Sequence, residues 1–150
     1  MATVRILGPT EHPLLDNVAP DVFDDVPRPE LSREFLIDPR HHLAVAIAED
    51  GRVVGMASGV HYVHPDKPAQ MFINEVGVSA AYEGQGLGKR LLAALFQHAA
   101  ELGCTEAWTA TEPDNARARA LYAKAGGVQD PTPFVMFTFP IPPARSVREG

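Results

Sequence analysis

The stretch Glu75-Val76-Gly77-Val78-Ser79-Ala80-Ala81-Tyr82-Glu83-Gly84-Gln85-Gly86-Leu87-Gly88-Lys89-Arg90 decides the fold, because a strand pattern runs there into a glycine-rich turn and then into a helix. Glycines on alternate positions leave main-chain N–H groups uncovered by any Cβ. The helix that follows adds the positive end of its dipole, about half an elementary charge. A junction of this kind binds anions, phosphates above all.

Working outward toward the C-terminus, Leu87, Leu91, Leu92, Leu95, Ala99 and Leu102 trace one apolar helix stripe that Gly103 is placed to stop. Thr105 to Thr111 reads as a strand, and Asp114 or Asn115 can cap a helix that ends at Gly126-Gly127. Strand, helix, strand implies a right-handed parallel crossover. Phe134 to Phe139 reads as a final strand, and residues 140–150 as an extended or disordered tail.

Toward the N-terminus, Met71 to Val78 is preceded by a turn at His64-Pro65-Asp66-Lys67-Pro68. Before that, His42 to Ala48 and Arg52 to Val63 are joined by Glu49-Asp50-Gly51, a strong hairpin signal. A three-stranded antiparallel meander is the expectation. Between Glu11 and Asp38 the apolar residues recur at helical spacing, cut by Pro20, Pro27 and Pro29 into two short helices. Thr3 to Leu7 opens the chain as a short strand.

The composition, 45% hydrophobic and 21% charged over 150 residues, suits one folded domain, expected at 1–139. A net charge of −6 disfavours nucleic acid or an anionic membrane as partner. The N-terminus lacks the apolar core of a signal peptide, which makes a cytoplasmic location the expectation. Cys104 is the only cysteine, so no internal disulfide can form, and it reads as a buried thiol in an apolar strand-like stretch. Acidic residues gather in the first quarter, Asp24 and Asp25 among them, either as a solvated face or as an attraction for a cationic substrate.

The glycine turn is not a Walker A loop, since Gly88-Lys89 is followed by Arg90 and not by a hydroxyl residue. Nor does it occupy the first strand-helix unit, as a dinucleotide fingerprint would. Val76 to Gly88, taken with Asp114 to Gly126, resembles the Gcn5-related N-acetyltransferases. The resemblance implies a single-domain mixed α/β fold with six to seven strands, a splayed parallel pair, and acetyl-CoA as cosubstrate without a metal. It implies that Glu83, Gly84, Gln85, Gly86, Leu87, Gly88 and Lys89 surround the pyrophosphate, that main-chain groups of Val76 and Val78 hold pantetheine, and that Asn115 contacts the CoA arm. Tyr122 would donate a proton to the departing thiolate, the alternative being a core aromatic. Glu83 departs from the family pattern, which has Gln or Arg there. A carboxylate about 6 Å from a phosphate costs on the order of 0.7 kcal/mol in water-like dielectric, which Lys89 and Arg90 could offset.

Glu75 is the candidate base, because an amine arrives as ammonium and must lose a proton before it attacks a thioester. Strict alternation would put it on the face of Met71 and Ile73; the alternatives are an exposed or salt-bridged strand glutamate. His61 or Tyr62 could line the acceptor site, whereas the spacing of His61 and His64 is a weak metal signal. The strand end Glu75 to Ser79 is similar to that of small aminoglycoside 3-N-acetyltransferases. That likeness implies a small cationic amine as substrate and antibiotic resistance as its setting; similar family members are often homodimers. Another small amine, a peptide or protein amine, and a CoA-binding sensor without turnover stay open.

Overall fold

A computed structural model describes residues 1–144. Five strands form one sheet in the order β1-β2-β3-β4-β5: Thr3–Ile6, His41–Ile47, Val53–Tyr62, Gln70–Val78 and Glu106–Trp108. The first four are antiparallel neighbours, and β5 runs parallel to β4. Three α-helices accompany them, α1 (Pro29–Ile37), α2 (Leu87–Glu101) and α3 (Ala116–Lys124). The meander, the Asp50-Gly51 hairpin and the parallel crossover stand as expected, with Gly51 at φ +88° in the turn. Of the two short helices expected before β2, the second is α1 and the first is a single 3-10 turn at His12–Asp16.

The sheet is covered on both faces. On one, Leu87, Leu91, Leu92, Leu95 and Ala99 of α2 pack against Ala44, Ala46, Val54, Ala57, Met71 and Ile73. Leu102, the last residue of the expected stripe, caps the helix at 36% exposure, and Gly103 follows at φ +86°. On the other face, Leu15, Val22 and Leu36 pack on Leu43, Val45, Val53 and Met56. At about 1.5–3 kcal/mol per fully buried large side chain, these two layers dominate the stability of the fold.

The sheet has fewer strands than expected among the described residues. Phe134 to Phe139 is not a strand: from Val128 to Ala144 the chain is exposed and without regular structure. Phe134, Val135, Met136, Phe137 and Phe139 are 76–91% exposed. Their sequence suits a strand, but no neighbour within the chain supplies the ladder hydrogen bonds and apolar cover a strand needs. β5 is also shorter than the expected Thr105 to Thr111. Cys104 lies in the turn before β5 and is only partly buried, which raises its thiol pKa by desolvation. The last six residues of the expected tail, 145–150, lie outside the described residues.

Candidate active site

The glycine turn builds the cradle from two glycines. Gly84 and Gly86 have φ of +76° and +74°, and a Cβ on either would meet open space. The conformation demands glycine there, and the bare surface lets a ligand approach the main chain. Gly86 is the N-cap of α2 and no side chain caps that end, so the first helical N–H groups remain available to an anion. Gly88 has a different task. A Cβ there would lie 3.0 Å from Leu121 Cδ1, so it permits close packing of α3 on α2.

Glu83, the residue that departs from the family pattern, forms an ion pair with Arg117 in the first turn of α3. Sequence reasoning missed this partner, because the pair joins residues far apart in the chain and neither has a local signal for it. Arg90, expected to help neutralise Glu83, instead donates from both terminal nitrogens to the Ala2 carbonyl at 3.2 Å. Asn115 caps α3, its side-chain oxygen accepting from the Ala118 N–H at 3.0 Å. Tyr122 lies on the α2 side, half-buried against that core, with its carbonyl accepting from Gly127 N–H at 2.8 Å.

Strand β4 carries an irregularity that changes the reading of Glu75. Ser58 pairs with Glu75 and Gly59 pairs with Ile73, so Asn74 is an extra residue with no partner on β3. Such a bulge shifts alternation by one. Met71 and Ile73 before it, and Val76 and Val78 after it, all face α2. Glu75 is therefore turned to the opposite face, exposed, and not onto the face of Met71 and Ile73 as alternation alone predicts. The same face carries the Val22 loop: a Cβ on Gly77 would fall 2.1 Å from the Val22 carbonyl oxygen. Asp21 of that loop accepts from Ala80 N–H at 2.8 Å, a hydrogen bond that lowers the pKa of its carboxyl. Asp24 and Asp25 follow as exposed residues.

The two substrate candidates on β3 separate. Tyr62 lies on the Glu75 face, where its hydroxyl donates to Gln70 Oε1 at 2.9 Å and accepts from Trp108 Nε1. Trp108 packs on Phe72 with ring centroids 4.5 Å apart. His61 points to the α2 face, where its Nδ1 is 2.7 Å from His42 Nε2. His42 Nδ1 is in turn 2.9 Å from His98 Nε2. Burial and the neighbouring imidazoles push His42 down to about 4, and burial and the nearby Arg40 lower His61.

Ladder pairing between β4 and β5 ends at Phe72 and Trp108. One residue on, the Thr109 hydroxyl donates to the Ile73 carbonyl at 2.9 Å. Among the described residues, the β5 side of Asn74 to Val78 then has no strand beside it. A ligand with amide groups can fill a gap of that kind as a missing strand would. The open glycine turn, the free helix end and this gap together fit acetyl-CoA.

A family model described as "Acetyltransferase (GNAT) family" matches residues 11–127. The chain belongs to that family. Among curated proteins it is similar to an L-2,4-diaminobutyric acid acetyltransferase of Virgibacillus pantothenticus, with 43% identity over 53 residues, 35% of this chain and 32% of that protein. It is also similar to a mycothiol acetyltransferase of Kocuria rhizophila, with 38% identity over 91 residues, 59% of this chain and 30% of that protein. The chain thus spans about a third of the length of these two relatives. Among solved structures, the GNAT fold is shared with an aminoglycoside acetyltransferase from an uncultured soil metagenomic sample in complex with sisomicin. That match has a TM-score of 0.78 and 17% identity, and covers 94% of this chain and 97% of the other.

Proposed function

We propose that this GNAT chain transfers an acetyl group from acetyl-CoA directly to a primary amine of a small cationic substrate, best matched by an aminoglycoside at its 3-N position. The observation that carries this reading is the gap beside Asn74 to Val78, which opens where the bulge turns Glu75 outward.

Bound acetyl-CoA supplies the thioester whose carbonyl carbon the amine attacks. Main-chain N–H groups at Gly84, Gly86 and the start of α2 would hold the pyrophosphate, with Gln85, Leu87 and Lys89 completing the turn. Val76 and Val78 would offer main-chain groups to pantetheine, and Asn115 would contribute mainly by setting the start of α3. Glu75 takes a proton from the acceptor ammonium, and Tyr122 gives one to the sulfur as the carbon–sulfur bond breaks. The two residues lie on opposite sides of β4, which suits a donor and an acceptor that meet at the gap from two directions. Asp24 and Asp25 supply negative charge on the acceptor side, and Tyr62 with Trp108 supplies an aromatic wall. Holding amine and thioester together contributes roughly 7–11 kcal/mol, more than the proton transfers do.

The curated relatives named for diaminobutyric acid favour a second reading, in which a small diamine replaces the aminoglycoside. Thiol release from acetyl-CoA, measured against aminoglycosides, diaminobutyrate, polyamines and peptides, separates these. Acetylation of a small cationic amine is the expected outcome. Acetylation of peptides alone, or cofactor binding with no turnover on any amine, overturns the proposal. Glu75→Gln is expected to lower turnover at every pH, and unchanged activity removes Glu75 from the reaction.

A further inference from the structure

Thr109 stands at the step where β5 ceases to be a strand. The register that joins Gln70 to Glu106, Met71 to Ala107 and Phe72 to Trp108 would next join Ile73 to Thr109, but the ladder does not extend there. Instead the Thr109 hydroxyl donates to the Ile73 carbonyl at 2.9 Å, in the place of an N–H from a longer β5. Ile73 is buried, and a buried carbonyl left unpaired is costly, so the hydroxyl lets the ladder end without an orphan.

Ile73 is also the last β4 residue before the unpaired Asn74, and on its other side it pairs with Gly59 of β3. A Cβ on Gly59 would lie 3.3 Å from the Phe72 carbonyl oxygen, so β3 lies close against β4 at this step. The bulge that turns Glu75 outward thus starts from a residue gripped from both sides. Beyond it, among the described residues, the β5 side of Asn74 to Val78 is open. Thr109 is half-buried at the inner end of this opening, and its β-branched side chain is stiff at χ1. Its oxygen occupies the position from which a ligand amide would reach the Ile73 carbonyl.

We infer that the Thr109 hydroxyl is a positioning group for acetyl-CoA: it takes the carbonyl at the inner end of the gap, so that an extended ligand finds main-chain partners only beyond the bulge. This rests on the acetyl-transfer reading and names what ends the travel of the pantetheine arm along β4. With the Ile73 carbonyl free, an arm bonded like a strand can advance by one residue step, about 3.3 Å. Reacting atoms must lie about 3–3.5 Å apart, so an advance of that size carries the thioester past an amine held near Glu75. Thr109 acts through the carbonyl it occupies and not on the reacting atoms.

The test compares, in the full chain, Thr109→Val, which keeps the shape and loses the hydroxyl, with Thr109→Ser, which keeps the hydroxyl. In cofactor-free protein the carbonyl carbon resonance of Ile73 is expected to shift in Thr109→Val and to stay near the parent's in Thr109→Ser. With acetyl-CoA isotopically labelled at the acetyl carbonyl, the parent is expected to give one bound resonance and Thr109→Val a second. Affinity by calorimetry should stay within about twofold. Turnover on the amine that the parent acetylates fastest should fall about tenfold in Thr109→Val and return in Thr109→Ser. Parental turnover or a single bound resonance in Thr109→Val, an Ile73 resonance that Thr109→Val leaves in place, or equal impairment in both variants overturns the inference and leaves acetyl transfer standing. A parent chain that binds no acetyl-CoA overturns the acetyl-transfer reading, and this inference with it.

Discussion

At the scale of single residues, the ion pair of Glu83 and Arg117 alters what the unusual glutamate means. Exposed pairs of this kind contribute only about 0.2–1 kcal/mol to stability, so its main effect is on local charge. Removing Arg117 strands a carboxylate beside the glycine turn proposed to hold the pyrophosphate. Arg117→Ala is expected to weaken acetyl-CoA binding about threefold by calorimetry, corresponding to ~0.7 kcal/mol. Adding Glu83→Gln to it should restore most of that loss. Strict additivity of the two changes would show that they act separately. Tyr122→Phe makes a sharper demand, because loss of a general acid should lower turnover by about 10²–10⁴-fold with acetyl-CoA affinity nearly unchanged. Equal turnover would leave Tyr122 as a packing residue, consistent with its half-buried place against the α2 core.

The elements show why some glycines tolerate substitution and others do not. Gly77→Ala would drive a methyl into the main-chain carbonyl of Val22, which cannot rotate away as a side chain can. A loss of about 1–3 kcal/mol, read as a lowered Tm, is expected, together with a shift of the acidic loop. Gly88→Ala meets the mobile end of Leu121 and should cost less. Asn115→Ala should cost about 1 kcal/mol by uncapping α3. The order of strands and helices through α3 was legible because periodicity and turn chemistry are local. The place of Glu75 was legible too, but only to a reader of parity: Met71 and Ile73 are odd, Val76 and Val78 even, and one strand can face all four inward only by skipping a residue. Arg117, Thr109 and Trp108 were not legible, since each acts through a contact that the tertiary fold creates.

For the molecule as a whole, the run of imidazoles from His61 through His42 to His98 ties the sheet to the end of α2. Around it stand His41, Arg40, Asp38 and Glu101, of which Asp38 opposes the depression of His42 and Glu101 lies 4.0 Å from His98. The folded pKa of His42, about 4, lies below its ordinary 6.5. Between these values the unfolded chain binds a proton that the folded chain refuses, so stability falls as pH falls. The full effect, on the order of 3 kcal/mol, is present above pH 6.5 and is lost as pH drops toward 4. Tm should fall across that window, and His42→Gln should flatten the slope there. Glu11, held at about 2 by its bonds to Arg5 and Gly8, acts only at lower pH. Phe134 to Phe139 marks where sequence and fold diverge most: composition and alternation speak for a strand, but pairing depends on what lies alongside.

The extra residue at Asn74 has a consequence for comparing this chain with others. It acts as a frameshift in the fabric of the sheet, after which inside and outside exchange numbers. A homologous strand lacking that one residue would alternate regularly and keep its glutamate away from the α2 core, whereas a strand of the same length without the bulge would turn its glutamate toward that core and its two valines toward the acidic loop. Deleting Asn74 should therefore leave Glu75 on its observed face, with regular pairing to β3. An alignment that closes that single gap would match Glu75 to a residue facing the other side of the sheet.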